Sequence, residues 1–168
     1  MDATDFGSIY QRYAADVFRF ALHLCGNRPD AEDILSETFI RAWTSPAGIR
    51  VGTVKAYLLM IARNLHLDRV RVAGRTAVLE IDSPDSAPGP ETTAVQRDEV
   101  RALRSALARL PERERAALLM RGVGDLTYDV IGAALGMSPG AARVTVHRAR
   151  IKLAGLRARA GEHHEDHT

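Results

Sequence analysis

Between Ala73 and Val95 the chain reads AGRTAVLEIDSPDSAPGPETTAV, with Pro84, Pro88 and Pro90 close together and Gly89 between the last two. Proline lacks a backbone donor and clashes with the preceding turn, so no helix passes through this stretch. It also has no helical period and a surplus of small polar residues, the composition of a flexible linker. The 168 residues therefore divide into a first module at 1–72, a linker at 73–95, a second module at 96–160 and a short tail at 161–168 that is expected to be disordered.

Both modules read as helical, with no sustained period-two alternation that would build strands. In the first, Phe6, Ile9, Tyr10, Tyr13, Val17, Phe20, Ala21 and Leu24 recur at helical spacing, with Thr4 or Asp5 as cap and Gly26 as stop. A second helix begins near Pro29 and carries Ile34, Leu35, Thr38, Phe39 and Ala42 inward as far as Trp43. Thr53 caps a third, whose stripe is Val54, Leu58, Ile61 and Leu65, running to about Val72. The second module opens with a helix from about Thr93 to Arg109, pauses at Leu110 and Pro111, and resumes from Arg113 to Arg121. Thr127 then caps a short helix, Gly136, Met137 and Ser138 form a tight turn, and Pro139 starts a last helix to about Leu156. The fold class is all-α, two small helical domains joined by a flexible linker.

Several function classes are excluded. No apolar run approaches the roughly 20 residues that span a bilayer, and the N-terminus MDATDFGSIYQ is acidic where an export signal needs a basic start. The expected location is the cytoplasm, with no membrane insertion. Cys25 is the only cysteine, so neither an internal disulfide nor a multi-cysteine zinc site can form, and its apolar neighbours suggest a packed thiol. No phosphate-binding glycine loop, helical pair of metal-spaced histidines or nucleophile with its base occurs, so no enzyme, cofactor or metal is expected. His163, His164 and His167 lie near acidic residues in the tail, where incidental weak metal binding is the plainer reading.

The net charge of +2 hides a division along the chain. Nine basic and eight acidic side chains precede residue 73, two and six lie at 73–99, and twelve and seven follow, giving +1, −4 and +5. From Ser138 to Ala160 there are six basic residues and no acidic one. A run of this kind is either a solvated helix face or a footprint for a polyanion.

The segment LTYDVIGAALGMSPGAARVTVHRARIKL settles the choice toward nucleic acid, because it has the marks of a helix-turn-helix. Ile131 and Leu135 pack inside with Val144 at the crossing, Gly136 permits the turn, and Ser138 caps the second helix. Arg143, His147, Arg148 and Arg150 then lie outward, where arginine reads guanine edges or holds phosphate.

The stretch from Leu110 to Leu153, LPERERAALLM followed by that segment, resembles domain four of extracytoplasmic-function sigma factors, the promoter-recognition subunits of bacterial RNA polymerase. DAEDILSETFIRAW, Asp30 to Trp43, and YLLMIARNLHLDRVR, Tyr57 to Arg71, are similar to the two signature helices of domain two. The resemblance implies that core RNA polymerase, promoter DNA and an anti-sigma factor are the partners, with the clamp and flap of the polymerase as docking points.

Residue by residue, the resemblance assigns Asp33, Glu37 and Phe39 to docking on the clamp coiled coil of the polymerase, together with Asp30 on the same stripe. Asp30, Asp33 and Glu37 fall at i, i+3 and i+7, where like charges cost a few tenths of a kcal/mol, so either a basic partner answers them or Asp30 and Asp33 serve the helix dipole. Ile61 and Asn64 match the helix beside a flipped minus-ten base, with the loop Ser45 to Gly52 closing the pocket, and Arg63, Arg69 and Arg71 hold the single strand. Asn64 also has the option of satisfying backbone groups within the bundle. Tyr57 stands where the family most often has tryptophan, and the loop carries Pro46 and Gly48. In domain four, Arg143, His147 and Arg148 match base-reading positions, with Arg115 and Arg150 on phosphates and Ser138 and Val144 on the same surface. Val144 and Thr145 depart from the polar and basic residues often found there. The linker acids Glu80, Asp82 and Asp85 suit either a route along a basic wall of the polymerase or a solvated tether. A stand-alone helix-turn-helix regulator explains the second module but leaves the two helices of the first unaccounted for.

Overall fold

The computed structural model describes residues 3–45, 53–76 and 93–165. Three helices, α1 (Ala3–Cys25), α2 (Arg28–Thr44) and α3 (Val54–Thr76), build the first module. Four more, α4 (Ala94–Ala108), α5 (Glu112–Gly122), α6 (Tyr128–Leu135) and α7 (Pro139–Glu165), build the second. Among the described residues there is no strand, as the helical periodicity requires.

The helix ends follow from local chemistry. Gly26 adopts φ +82° and its N–H reaches the Leu22 carbonyl at 2.8 Å, closing α1. Asn27 caps α2 by accepting from the Asp30 N–H at 2.9 Å, while its own amide donates to the Asp30 carboxylate at 2.8 Å. Thr53, Thr127 and Ser138 accept from the third residue on at 3.1, 3.3 and 3.1 Å. Thr93 and Gln96 form a reciprocal capping box on α4. Three bounds differ from expectation, one of them that of α3, which runs past Val72 to Thr76, into the first residues of the stretch read as linker and well short of its prolines. The first helix starts at Ala3, so Thr4 and Asp5 lie inside its first turn. The last runs past Leu156 and Ala160 to Glu165, into the histidine-rich tail, because Leu156 to Ala160 holds only good helix formers and no proline.

In the first module Val17, Phe20, Ala21 and Leu24 pack against Ala31, Ile34, Phe39 and Ala42 and against Ala56, Leu58, Ala62 and Leu65. Thr38 is fully buried, and its hydroxyl is satisfied by donating to the Ile34 carbonyl at 2.6 Å. In the second, Ala116, Ala117, Leu119 and Met120 meet Ile131 and Leu135 and the α7 stripe Ala142, Val146 and Ala149. That stripe corrects the placement of Val144, which is 46% exposed. At 100° per residue Val144 sits about 200° from Val146, so the crossing belongs to Val146 and Val144 joins the outer face.

The modules also pack on each other through α1 and α3 of one and α4, α5 and α6 of the other. Beside its expected stripe, α3 presents a second one, Leu59, Arg63 and His66 at i, i+4 and i+7, to the second module. Leu59 is buried against the turn after α5, where a β-carbon at Gly124 would come within 2.8 Å of Leu59 Cδ1. Arg63 gives two parallel hydrogen bonds to Glu112, Nε to Oε1 at 2.7 Å and Nη2 to Oε2 at 2.8 Å, with side chains only 16% and 25% exposed. From α5, Arg115 donates to the Leu24 carbonyl at 2.7 Å and to Leu110 at 3.3 Å, a cation seated at the negative end of α1.

The seam is imperfectly satisfied. Three buried nitrogens there, His23 Nδ1, Arg104 Nε and Arg115 Nε, have no hydrogen-bond partner, each costing about 1–3 kcal/mol in principle. Burial holds the His66 pKa below its ordinary value, helped by Arg115 and Arg63, while Glu112 and Asp30 act in the opposite direction. His23 is lowered likewise by burial and then by Arg104 and Arg19.

Two predictions follow from this packing. A β-carbon on Gly132 would lie 2.6 Å from the Met137 carbonyl oxygen, whereas one on Gly155 meets nothing within 4 Å. Gly132→Ala should therefore cost about 2 kcal/mol and lower the melting temperature by roughly 4–8 °C, while Gly155→Ala leaves it equal or higher. The second concerns pH. Both imidazoles resist protonation in the folded chain, so the unfolded chain binds more protons as pH falls through about 6.5 and stability declines. Urea unfolding at pH 7 and pH 5 should show this decline, shallower in His66→Gln; a flat or rising profile would contradict it.

Candidate nucleic-acid and polymerase interface

The helix-turn-helix forms because Gly136 takes φ +68° and ψ 39°, turning the chain sharply enough for Met137 N–H to reach the Gly132 carbonyl at 2.9 Å. With Ala142, Val146 and Ala149 turned inward, Arg143, Val144, His147, Arg148 and Arg150 are all exposed along α7. Arg148 and Arg150 enter no ion pair among the described residues, so their donors are open to a polyanion. Lys152, counted in the same basic run, is instead bound to Glu114 of α5 at 2.8 and 2.9 Å. Ser138 serves as the cap of α7, which places its hydroxyl at the entry of that face.

Arg143 is held in place by a residue the sequence reading did not single out. Its guanidinium lies 5.2 Å from the Tyr128 ring centroid, and Arg121 lies 4.8 Å from the same ring. Arg121 is fixed in turn by donating to the Leu126 carbonyl at 2.9 Å. A groove of about 520 Å³ opens there, lined by Arg121, Thr127, Tyr128, Asp129, Pro139, Gly140 and Arg143. Arg121, Tyr128 and Arg143 sit on three different elements, so no single-helix periodicity links them.

On α3, Ile61, Asn64, Asp68 and Arg71 follow one another at i, i+3, i+7 and i+10 and share one face. Asn64 is exposed and Ile61 half-buried, which leaves the Asn64 amide free for a base edge. Arg71 is bonded to Asp68 on the same helix. Arg63 is not on this face; it is turned toward Glu112. Arg69 reaches back to α2, 3.5 Å from Asp30 and 3.7 Å from Asp33. Arg115 is likewise drawn inward to Leu24.

The acidic stripe of α2 is thus answered within the chain, Asp30 and Asp33 by Arg69 and Glu37 by Arg41 at 3.2 Å. Such exposed pairs contribute about 0–1 kcal/mol, so a basic partner surface can replace them at little cost. Phe39 is only 3% exposed, its ring edge-on to Phe6 and Tyr10, and it supports this face from beneath. Ile40 at 55% exposure and Trp43 stand outward, bordering a groove of about 380 Å³ with Phe6, Tyr10, Ser36 and Phe39.

Some expectations fall outside the described residues. Residues 46–52 of the loop expected to close the minus-ten pocket, the linker acids Glu80, Asp82 and Asp85, the side chains of His163 and His164, and His167 are among them. Among the described residues no group of three histidine, cysteine or acidic side chains is placed to hold a metal. No helix among them is long and apolar enough to cross a membrane.

With this geometry in place, comparison with known proteins gives a consistent result. Residues 9–76 match Sigma-70 region 2 and residues 100–153 match Sigma-70 region 4. The ECF RNA polymerase sigma factor SigE of Mycolicibacterium smegmatis is 36% identical over 150 residues, covering 86% of this chain and 58% of its own length. SigM of Bacillus subtilis, also an ECF RNA polymerase sigma factor, is 30% identical over 150 residues, covering 88% of this chain and 92% of its own. Among solved structures, the sigma factor RpoE in complex with the anti-sigma factor NepR from Bartonella quintana matches with a TM-score of 0.77 at 25% identity, over 92% of this chain and 97% of that one. The chain belongs to the sigma-70 family, in its extracytoplasmic-function group.

Proposed function

We propose that the chain is a sigma factor that directs core RNA polymerase to specific promoters and starts transcription there, in an extracytoplasmic or stress response. The observation that carries this reading is the exposed, largely unpaired face of Arg143, His147, Arg148 and Arg150 on a capped recognition helix, in the same chain as a region 2 module. In this reading the second module anchors on the minus-thirty-five element. Arg143, steadied by Tyr128, reads a base edge beside Arg148, Val144 and His147 give apolar and polar contacts, and Ser138 and Arg150 meet the backbone.

The first module docks on the polymerase clamp through Asp30, Asp33 and Glu37, with Phe39 supporting them, and the second meets the flap. Asn64 and Ile61 receive a minus-ten base drawn from the stack, and Arg69 and Arg71 hold the strand beside it, while Arg63, turned toward Glu112, is left out of this surface. Unstacking costs a few kcal/mol, so specificity arises where a polar side chain rewards only the right base. The chemistry of phosphodiester formation belongs to the polymerase, and the chain acts as a regulatory subunit in the cytoplasm. A solved relative that matches over 92% of this chain is in complex with an anti-sigma factor. An anti-sigma factor is accordingly the proposed restraining partner.

Run-off transcription with sigma-free bacterial core polymerase on a promoter library tests the reading. Transcripts should require the chain. Arg148→Ala should weaken minus-thirty-five binding by about 5- to 150-fold, the equivalent of one arginine contact worth about 1–3 kcal/mol, and Asn64→Ala should reduce promoter opening while leaving upstream binding intact. Tight, specific binding to a duplex without polymerase, and no association with core, would instead make the chain a stand-alone regulator. A further expectation concerns docking. Glu37→Lys should lower affinity for core polymerase by up to about fivefold, measured by fluorescence titration, and leave the thermal midpoint of the free chain nearly unchanged.

A further inference from the structure

The outermost side chain on the first turns of α7 is apolar. At 100° per residue Val144 lies about 190° round the helix from the middle of the buried stripe Ala142, Val146 and Ala149, almost opposite the core. His147 and Arg148 flank it at about 60° and 40°, whereas Arg143 and Arg150 sit at the side of the helix, about 90° and 70° from the stripe. Val144 is 46% exposed and leaves the crossing to the fully buried Val146. The residues one turn before it, Gly140 and Ala141, are exposed and small, so no longer side chain stands between Val144 and whatever the start of α7 approaches. Its neighbour Thr145 is occupied elsewhere, its hydroxyl donating to the Ala141 carbonyl at 2.7 Å and lying 3.8 Å from the Met137 sulfur.

We propose that Val144 is a specificity-determining residue that reads the C5 methyl group of a thymine in the minus-thirty-five element, an inference that rests on the promoter-directing reading above. A recognition helix contacts base edges with its N-terminal residues, and Val144 lies in the second turn of α7, which starts at Pro139. On the floor of the major groove the bases offer donors and acceptors, and thymine alone adds an apolar group. A valine pressed against a bare polar edge strips it of water and gives it no partner, so the side chain selects for the methyl and against the other bases. Because valine is β-branched, it holds one strongly preferred χ1 rotamer in a helix, and its two methyl groups keep a fixed place. Arg148, about 6 Å further along the axis, sets the register: at 3.4 Å per pair the thymine lies within about two base pairs of the guanine that Arg148 reads. Ile151 is also exposed on this ridge, but it stands two turns, about 10 Å, beyond Val144 and serves as a control.

The test uses the full chain bound to core polymerase, with a promoter duplex that this holoenzyme selects from a random library. Each thymine of the upstream element, on either strand, is replaced in turn by deoxyuridine, which removes the methyl group and leaves the base pair intact. Loss of one such methyl should weaken binding of the wild-type holoenzyme about fourfold, the contribution of one buried methyl group. With Val144→Ala, whose shorter side chain stops short of the base, the thymine and deoxyuridine duplexes should bind alike, both as weakly as the wild type binds deoxyuridine. Ile151→Ala should keep the wild-type response. The melting temperature of free Val144→Ala should be equal or higher, since alanine is the better helix former, which separates lost discrimination from lost fold. A selected element without thymine, a wild type indifferent to every methyl, or a Val144→Ala chain that still discriminates overturns the proposal. The promoter reading survives any of these results as long as Arg148→Ala weakens upstream binding. If the selection returns no sequence that depends on the chain, the promoter reading itself fails, and the thymine contact with it.

Discussion

Helix α3 is the element on which the rest of the molecule turns, because it is covered on two sides and needed on a third. Leu58, Ala62 and Leu65 close the core of the first module, while Leu59, Arg63 and His66 meet the second. That leaves Ile61, Asn64, Asp68 and Arg71 for anything outside. A helix with three occupied faces tolerates little change of register, since a turn of 100° would bury Asn64 or expose Leu59. The Arg63–Glu112 pair fixes the register from the side where apolar packing alone is sparse. An ion pair this shielded stands or falls with its desolvation balance, so its chief effect is to specify how the modules meet rather than to add stability.

Much of the fold was legible in the chain because its signals are local. Gly26, Asn27, Thr53, Thr93, Thr127, Gly136 and Ser138 act within three or four residues of their own positions, and short-range rules identify most of them. The helix-turn-helix was legible for the same reason. The placement of Val144 failed on a finer point. Ala142, Val146 and Ala149 are small or medium residues, and a stripe made largely of alanine gives a weak hydrophobic signal beside a lone exposed valine. The extension of α7 to Glu165 reflects the reverse case, a polar helix with no apolar face to announce it.

The seam was not legible, and the reason is physical. Arg63 and Glu112 are 49 residues apart, Arg115 and Leu24 are 91 apart, and neither pairing leaves a mark on local periodicity. An arginine on a helix that faces DNA and one that faces a carboxylate look alike in sequence. The same holds for the Tyr128 platform, which draws Arg121 and Arg143 from two other helices. The acidic stripe of α2 was legible as a pattern but not as a set of pairs, because Arg69 answers it from α3.

What emerges is a chain in which guanidinium groups outnumber the duties that any single state can give them. Some hold the two modules together, some lie open on α7, and Arg69 neutralises the acids of α2. We propose that Arg69 and Arg71, with Asn64, serve promoter opening once polymerase is bound. The most direct measurement is permanganate footprinting of a promoter selected with the chain and core polymerase together. Reactive thymines should appear around the minus-ten element only when both are present. A promoter that is bound by the pair yet stays fully duplex, or one that melts with core polymerase alone, would contradict it.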